Sequence, residues 1–320
     1  MKKRQLGHSG LEVPTLCFGG NVFGWTTDEA GTFALLDALL ASGLNFVDTA
    51  DVYSAWAPGN HGGESEILLG KWFKARGNRG EVILATKVGS PMGEGKKGLS
   101  KNYIRQAVED SLKRLQTDYI DLYQSHRDDE SVPQEEVLGT YAELIAEGKV
   151  RAIGASNFTA DRLESALEAS RKHNLPRYES LQPEYNLYDR AGYEAVLEGV
   201  CVKHALGVIP YFSLASGFLS GKYRSAAAAE SRPRAGMLKK YFNERGTRIL
   251  DALDEVAHEV KAKPAQVALA WLMARPSITA PIASATTLEQ LHELVEATRL
   301  ELPDGAIEKL NQASAETVAA

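Results

Sequence analysis

Short apolar runs alternate along the chain with longer segments in which apolar residues recur at helical spacing. The runs are rich in β-branched and aromatic residues, as strands buried on both faces are. Eight strands are predicted, over 15–19, 45–48, 82–88, 119–126, 150–156, 180–185, 207–212 and 278–283. Eight helical patterns follow them, over 28–42, 65–75, 101–115, 134–147, 160–173, 193–205, 244–274 and 288–297. This succession predicts an α/β fold, a (β/α)8 TIM barrel, with a doubly wound open sheet as the alternative.

Capping residues mark the ends of several predicted helices. Ser100 is a candidate N-cap for the third helix, and Thr287 with Gln290 forms a candidate capping box before the last one. Pro264 is expected to break the longest helical pattern into two helices.

Three further segments complete the predicted architecture. Residues 1–14 are expected to form a β-hairpin that caps the barrel, with GHSG at 7–10 as its turn, and a helical extension is expected at the C-terminus. No linker rich in Pro, Gly or Ser divides the chain, so one domain is predicted over 1–320. The stretch 222–240 lacks a periodic apolar face and predicts a long loop, either a lid over a ligand or a surface insertion.

Charge and composition exclude some classes of partner. The chain of 320 residues has a net charge of −6, and its basic residues are spread along the sequence. A nucleic-acid partner is not expected, because it usually requires a basic face. The two cysteines, Cys17 and Cys201, lie in apolar stretches outside any metal-spaced cluster, so buried reduced thiols and no metal site are predicted.

The sequence carries no targeting or membrane signal that we recognise. The basic start lacks the apolar core of a secretion signal, because Glu12 and Pro14 interrupt it. The longest apolar run, VALAWLMA at 267–274, is too short to span a bilayer. A cytoplasmic protein without a membrane partner is expected, and the oligomeric state stays open.

One glycine motif is interpreted as a decoy. GEGKKG at 93–98 matches the G-x-G-x-x-G pattern of dinucleotide-binding sheets. That motif normally turns directly off the first strand into a helix, whereas this one follows the third strand. A flexible loop at the rim of the barrel is therefore predicted.

Polar residues occur where four neighbouring strands end. Asp48 ends the second strand and Tyr53 follows on its loop, while Lys87 and His126 lie near the ends of the third and fourth strands. Each residue alone has an ordinary structural explanation. The C-terminal ends of barrel strands meet at one mouth, however, so these four side chains are expected to converge there.

Their chemistry suggests proton transfer to an oxygen. Tyr53 is the candidate general acid, and a nearby Lys87 ammonium is expected to lower the pKa of its hydroxyl. Asp48 can supply the counter-ion that a buried ammonium needs. His126, as a neutral imidazole, can donate a hydrogen bond to a carbonyl oxygen. Without a nucleophile other than Lys87, the set requires a partner that supplies electrons, and a hydride-carrying cofactor fits.

Over nearly its whole length the sequence resembles the aldo-keto reductases. The segments that carry the resemblance are LGHSGLEVPTLCFGG, GLNFVDTADVY, ATKVG, YIDLYQSHRDD, GKVRAIGASNF, LQPEYNLYDR, PYFSLASGFLSGKY and PAQVALAWLMARP. The resemblance implies a barrel that binds a nicotinamide cofactor, usually NADPH, and reduces a small-molecule aldehyde or ketone reversibly. It places the catalytic tetrad on Asp48, Tyr53, Lys87 and His126, with Tyr53 as proton donor.

The resemblance also implies a set of cofactor contacts. Gly20 and Asn21 line the nicotinamide end, Ser156, Asn157 and Gln182 hold the carboxamide, and the ring stacks on Tyr211. The pyrophosphate lies under a loop that includes Ser213, Leu214, Gly217 and Lys222.

The adenosine end departs from the family pattern. Thr286 and Gln290 stand where a basic residue and an arginine often hold the 2′-phosphate, whereas Glu293 matches an acid that contacts the adenine. Ser284, Thr286 and the helix N-terminus at Thr287 can still bind a phosphate. NADPH is the expected cofactor. NADH stays possible, because the bidentate arginine contact that would favour NADPH is missing.

The substrate end and the biological role leave alternatives open. Val22, Trp25, Trp56 and Arg127 are candidates for the substrate mouth, with ordinary loop packing as the other interpretation. The family also includes cofactor-binding subunits of potassium channels; the barrel pattern begins near Met1, which makes that role less expected. A Schiff-base lyase or aldolase is the third candidate, and it requires a Lys87 free of Asp48.

Overall fold

The architecture is a barrel of parallel strands surrounded by helices, in a computed structural model that describes residues 1–229 and 235–316. The strands are β1 Lys3–Gln5, β2 Glu12–Pro14, β3 Cys17–Gly19, β4 Phe46–Asp48, β5 Ile83–Val88, β6 Ile120–Ser125, β7 Val150–Ser156, β8 Tyr178–Gln182, β9 Gly207–Val208 and β10 Ile282–Ala283. The helices are α1 Glu29–Ala41, α2 Glu64–Arg76, α3 Lys101–Leu115, α4 Gln134–Ala146, α5 Ala160–His173, α6 Glu198–Lys203, α7 Ala226–Ala229, α8 Ala235–Leu238, α9 Glu244–Glu259, α10 Pro264–Ala274, α11 Leu288–Ala297 and α12 Asp304–Ser314.

The eight strands β3 to β10 form one parallel sheet that curls into a barrel. The sheet runs in the order β10-β3-β4-β5-β6-β7-β8-β9. Backbone hydrogen bonds from Thr279 N–H to the Val208 carbonyl, at 2.8 Å, and from Ile282 N–H to the Pro210 carbonyl, at 2.9 Å, join its two ends. These bonds confirm the predicted barrel and exclude the open sheet.

Most predicted elements agree with the structure to within a few residues, and the differences have local causes. The seventh and eighth strands are shorter than predicted, since Pro210 and Pro281 have no N–H to donate to a ladder. The helix expected over 193–205 begins instead as one π-helical turn, Tyr193–Leu197, before α6. The break expected at Pro264 is confirmed, with the proline at the start of α10.

The hairpin of β1 and β2 closes the lower end of the barrel. The strands pair antiparallel, and Leu6 and Val13 pack against barrel side chains. The barrel interior is filled by a small apolar cluster, whose members include Cys17, Phe46, Ala85, Leu122, Ala152 and Ile209. Because apolar side chains fill that lower part, polar groups are left to the opposite end, where the strands finish.

The stretch 222–240 is partly helical where it is described. It contains α7 and α8, and residues 230–234 lie outside the described part, so lid and insertion stay alternatives. The side chain of Lys240 pairs with Glu184 and Asp189, at 3.0 Å each. Within 1–229 and 235–316, no helix is both long and apolar enough to cross a membrane.

Candidate active site

Three of the four predicted catalytic side chains meet around the ammonium of Lys87. Its Nζ lies 2.6 Å from Asp48 Oδ2, 2.8 Å from the Tyr53 hydroxyl and 2.9 Å from the Thr49 carbonyl oxygen. Asp48 pairs in register with Ala85, two residues before Lys87 on the neighbouring strand. Because side chains alternate along a strand, this register directs both side chains to the inside of the barrel.

The Asp48 carboxylate is buried but fully partnered. Its Oδ2 accepts hydrogen bonds from Lys87 and, at 3.2 Å, from the Tyr53 hydroxyl. Its Oδ1 accepts from Gln182 Nε2 at 2.9 Å and Gln124 Nε2 at 3.1 Å. Gln182, predicted to hold a carboxamide, therefore also anchors the aspartate, and Gln124 is a contact that sequence reasoning missed.

The Tyr53 hydroxyl is held in its protonated form. Burial raises its pKa well above 10.0, and the neighbouring Asp48 raises it further. The net direction is opposite to the lowering expected from Lys87, because the desolvation of a phenolate and the nearby carboxylate outweigh the ammonium. The hydroxyl is therefore protonated at neutral pH, as a proton donor must be.

His126 lies beside Tyr53, with 6.1 Å between the ring centroids. Burial lowers the pKa of the imidazole well below 6.5, and the charges of Lys87 and Arg127 lower it further. The ring is therefore neutral, as predicted. Its Nδ1 is buried and has no hydrogen-bond partner among the described residues.

Three residues predicted to bind cofactor form a chain of hydrogen bonds along the rim. Tyr211 donates from its hydroxyl to Asn157 Oδ1 at 2.8 Å. Asn157 donates through Nδ2 to the His126 carbonyl at 2.9 Å and to Ser156 Oγ at 3.1 Å. The chain reaches from the end of β6 to the segment after β9 and fixes the positions of these side chains.

The loop predicted to lie over the pyrophosphate leaves free space beside its backbone at Gly217. Ser213 Oγ donates to the Pro210 carbonyl at 3.1 Å, and Leu214 precedes a 3-10 segment, Ala215–Ser220. Gly217 has a φ of +102°, and no atom lies within 4 Å of the place where a side chain would begin. Lys222 is exposed and forms no ion pair within the described residues. A loop that has free space at Gly217 and carries an exposed lysine suits an anion.

At the adenosine end, the predicted residues mainly contact one another. Ser284 Oγ donates to Asn21 Oδ1 at 2.7 Å, so this candidate for the adenosine end contacts a residue that was predicted at the nicotinamide end. Gln290 accepts from the backbone N–H of Thr286 at 2.9 Å. Thr287 Oγ1 accepts from the Gln290 N–H, which forms one half of the capping box. The Gln290 side chain accepts from the N–H of Thr286 and not from that of Thr287, so the other half is missing.

Glu293 has a partner that the sequence did not reveal. Its carboxylate lies 2.5 Å from the Nζ of Lys263, which caps the start of α10. The two residues are thirty positions apart, and no local pattern links them. Lys263 therefore brings a cation to the end of the barrel where a phosphate-binding residue was expected and not found.

Of the four candidates for the substrate mouth, Val22 alone is buried in the core. Val22 is 2% exposed and belongs to the core, so it offers no surface at the mouth. Trp25 and Trp56 pack edge to face with 5.7 Å between centroids, and Trp56 lies 5.9 Å from the Tyr53 ring. Arg127 is exposed.

Asp51, on the loop between β4 and the Tyr53 position, is buried, and its carboxyl group has no hydrogen-bond partner within the part of the chain that the structure describes. It is 1% exposed, and neither carboxyl oxygen has a hydrogen-bond partner among the described residues. Burial and the neighbouring Glu66 raise its pKa to about 8. Glu66 is itself buried, but it accepts from Arg114 at 2.7 Å and from Thr86 at 2.6 Å.

Comparisons with known proteins agree on one family. The Aldo/keto reductase family model matches residues 15–315. An uncharacterized oxidoreductase, YrpG, of Bacillus subtilis (strain 168) is 37% identical over 319 residues, covering 97% of this chain and 95% of its own. Protein tas of Escherichia coli (strain K12) is 33% identical over 335 residues, covering 97% and 96%. A probable voltage-gated potassium channel subunit beta of Arabidopsis thaliana is 32% identical over 308 residues, covering 93% and 91%.

Proposed function

The chain belongs to the aldo/keto reductase family, and from this premise we propose that it reduces aldehydes and ketones to alcohols with NADPH, using Tyr53 as the proton donor. Family membership and the oxidoreductase relative make the chain an NAD(P)H-dependent oxidoreductase. The observation that carries the finer proposal is the position of the Tyr53 hydroxyl, 2.8 Å from the Lys87 ammonium and 3.2 Å from the Asp48 carboxylate.

The tetrad residues divide the work of protonating a carbonyl oxygen. A bound nicotinamide supplies the hydride that the carbonyl carbon receives. As the oxygen gains negative charge, the O–H bond of Tyr53 breaks and its proton moves to that oxygen. Lys87 stabilises the phenolate left behind, and Asp48 balances the ammonium. The neutral His126 donates a hydrogen bond to the same oxygen and orients it.

The residues at the mouth fit a nicotinamide dinucleotide. Nδ1 of His126 is buried and has no hydrogen-bond partner among the described residues, so no bond at that atom prevents the ring from donating through Nε2 to a ligand. Ser156, Asn157 and Tyr211 are proposed to bind the nicotinamide. The backbone at Gly217 and the side chain of Lys222 are proposed to bind the pyrophosphate. The hydroxyls of Ser284 and Thr286 are proposed to bind the ribose phosphate. NADPH is the proposed cofactor and NADH the alternative.

Titration with each cofactor, followed by turnover, tests this function. NADPH or NADH is added while protein fluorescence is recorded, and oxidation of the cofactor is then followed with 4-nitrobenzaldehyde. Binding together with turnover is the expected result. The proposal fails if neither cofactor binds.

A cofactor-binding regulatory subunit is the second candidate, favoured by the similarity to the Arabidopsis channel subunit. Cofactor binding with no turnover of any aldehyde supports that role instead.

The Schiff-base alternative is disfavoured by the geometry of Lys87, because its three N–H donors already face Asp48, Thr49 and Tyr53. Trapping of a substrate on Lys87 with borohydride would support a Schiff-base lyase or aldolase instead.

A further inference from the structure

The loop that carries Tyr53 closes back on its own beginning. This segment, residues 49–63 between β4 and α2, is the Tyr53 loop. Near its start, the N–H of Asp51 donates to the Lys87 carbonyl at 3.3 Å. Near its end, a β-carbon at Gly62 would lie 3.3 Å from the Asp51 carbonyl oxygen. The two ends of the loop therefore lie against each other at Asp51.

The last residue of the Tyr53 loop packs on Arg114 of α3. Gly63 has a φ of +89°, and a β-carbon there would lie 2.5 Å from Cδ and 2.7 Å from Nε of Arg114, which is too close for any residue but glycine. Arg114 is itself fixed by Glu66, whose Oε2 accepts from Nε at 2.7 Å. Glu66 is fully buried, and its other oxygen accepts from Thr86 at 2.6 Å. A shift of Arg114 must therefore move the end of the loop.

One guanidinium lies beside two buried carboxyl groups at the base of this loop. Arg114 bonds to Glu66, whereas Asp51 is 1% exposed and neither of its carboxyl oxygens has a hydrogen-bond partner in the described ranges. An ionised carboxylate enclosed without a donor is costly, and a neutral carboxylic acid is much less so. The closed loop therefore accommodates the charge of Glu66 and favours a proton on Asp51, in agreement with the pKa of about 8.

The groups that act on Asp51 come from several elements. The charged ones are Glu66 of α2, Arg114 of α3 and Lys87 of β5. The remaining titratable groups are the hydroxyls of three tyrosines, Tyr103 of α3, Tyr123 of β6 and Tyr141 of α4. Burial raises the pKa of each hydroxyl above 10.0, so all three keep their protons through pH 9 and add no charge to the cluster.

We propose that Asp51, Glu66 and Arg114 act as a clamp that holds the Tyr53 loop closed while Asp51 carries its proton. Asp51 is then a positioning residue, because it acts on the Tyr53 hydroxyl only through the loop. The catalytic consequence rests on the proposed reductase function, whereas the clamp itself does not.

The direction of the pH effect follows from the proton on Asp51. When the loop opens, the carboxyl group reaches water and its pKa returns toward 3.8 from about 8. Between these values the closed loop keeps a proton that the open loop has lost. Opening should therefore become easier as the pH rises toward 8, with no further change above 8.

Quenching of Trp56 fluorescence by acrylamide follows the loop without any substrate or cofactor. Trp56 lies in the Tyr53 loop and is 47% exposed, whereas Trp72 and Trp271 are fully buried. The substitution Trp25→Phe removes the one other partly exposed indole. In this background we expect the quenching constant to rise about twofold from pH 5 to pH 8 and then to level off. A quenching constant that stays the same from pH 5 to pH 9 overturns the proposal.

Two further variants, each in that background, connect the effect to the cluster. Asp51→Asn cannot ionise and should keep its pH 5 quenching constant up to pH 9. Glu66→Gln frees Arg114 to pair with an ionised Asp51, so it should reduce the pH dependence. The matched control is Asp110→Asn, because this acid also lies near Arg114 but is 40% exposed, and the variant should keep the full rise. If Asp51→Asn shows the same rise as its parent, the proposal is wrong.

Turnover tests whether the loop positions Tyr53. In the wild-type chain, kcat for aldehyde reduction should fall several-fold from pH 6 to pH 8 and level off above, while Asp51→Asn keeps a flat profile and the wild-type affinity for NADPH. A fall in kcat without any change in quenching assigns the effect to the charge of Asp51 on Lys87, and the clamp is then wrong. If no aldehyde is reduced with either cofactor, the reductase function fails, and the quenching profiles still decide whether the clamp exists.

Discussion

Asp48 and Lys87 form an ion pair that the barrel encloses completely. Their side chains are 1% and 0% exposed, and Oδ2 lies 2.6 Å from Nζ. Removing one partner of a buried pair leaves an uncompensated charge, which costs more than the pair itself contributes. The same two groups position the Tyr53 hydroxyl, so stability and the proposed catalysis depend on one contact.

Asp48→Asn is expected to damage both properties. The variant keeps the side-chain shape but leaves the Lys87 ammonium without its counter-ion. We expect turnover to fall at least ~100-fold and the free energy of unfolding to fall by about 3 kcal/mol. Steady-state kinetics and urea unfolding measure the two effects.

A double variant separates the two effects. Asp48→Asn with Lys87→Met removes both charges, so much of the lost stability should return while turnover stays low. Wild-type turnover in Asp48→Asn alone would remove Asp48 from the proposed tetrad.

Tyr53→Phe is expected to keep cofactor affinity and lose most of the turnover. The ring and its contacts with Trp56 remain, while the proton donor is removed. A positioned general acid contributes about 10²–10⁴ in rate, and a loss in that range is expected for reduction. Comparing the dissociation constant for NADPH with kcat tests this, and unchanged turnover excludes Tyr53 as the acid.

The pH dependence should reflect the raised pKa of Tyr53. Because burial and Asp48 hold this pKa well above 10.0, the hydroxyl stays protonated through pH 9. The rate of aldehyde reduction should therefore show no loss from ionisation of Tyr53 up to that pH. Alcohol oxidation needs the deprotonated form and should become faster as the pH rises. An alkaline decline of reduction below pH 9 that disappears in Tyr53→Phe would contradict this assignment.

The convergence of the proposed tetrad was predictable because it depends on topology. Parallel barrel strands finish at one end, so polar residues that follow Val47, Thr86 and Ser125 in the sequence had to converge. The direction of the Tyr53 pKa shift was not predictable, because it depends on how deeply the ring is enclosed and how near Asp48 lies. Distances and burial of this kind have no signature in residue spacing.

Long-range pairings escaped prediction for a similar reason. Lys263 and Glu293 meet only because α10 and α11 pack side by side, and the sequence gives no sign of that contact. The burial of Asp51 near Glu66 of α2 and Arg114 of α3 likewise depends on how these helices pack, which residue spacing does not show. The bonds from Asp48 to Gln124 and Gln182 likewise require the closed barrel.

Lys263 provides a test of cofactor choice. If its ammonium lies near the 2′-phosphate of NADPH, Lys263→Gln should weaken the binding of NADPH several-fold and leave the affinity for NADH little changed. Thr286→Arg, which adds a planar fork at the position where the family often has a basic residue, should strengthen NADPH over NADH by about tenfold. Fluorescence titrations with both cofactors give the ratio. Equal effects on NADPH and NADH would show that neither residue faces the 2′-phosphate.

Asp51 links stability to pH in a direction opposite to that of ordinary surface acids. Its pKa rises from 3.8 to about 8 on folding. Between these values the folded protein keeps a proton that the unfolded chain has lost, so this group makes stability fall as the pH rises, with no further change above 8. Asp51→Asn cannot ionise and should gain stability relative to wild type over that interval, by more than about 1 kcal/mol at pH 9.

Urea unfolding at several pH values from 5 to 9 measures this gain directly. The control is Asp118→Asn, because Asp118 is exposed and its substitution should leave the pH profile of wild type intact. Catalysis gives a second comparison: Asp51→Asn should retain far more turnover than Asp48→Asn, since neither carboxyl oxygen of Asp51 forms a hydrogen bond with a described residue. If the stability curves of Asp51→Asn and wild type run parallel from pH 5 to 9, the buried carboxyl ionises normally and finds a partner in solution. Divergence that grows toward pH 8 shows instead that the fold holds a neutral carboxylic acid two residues from the proposed proton donor.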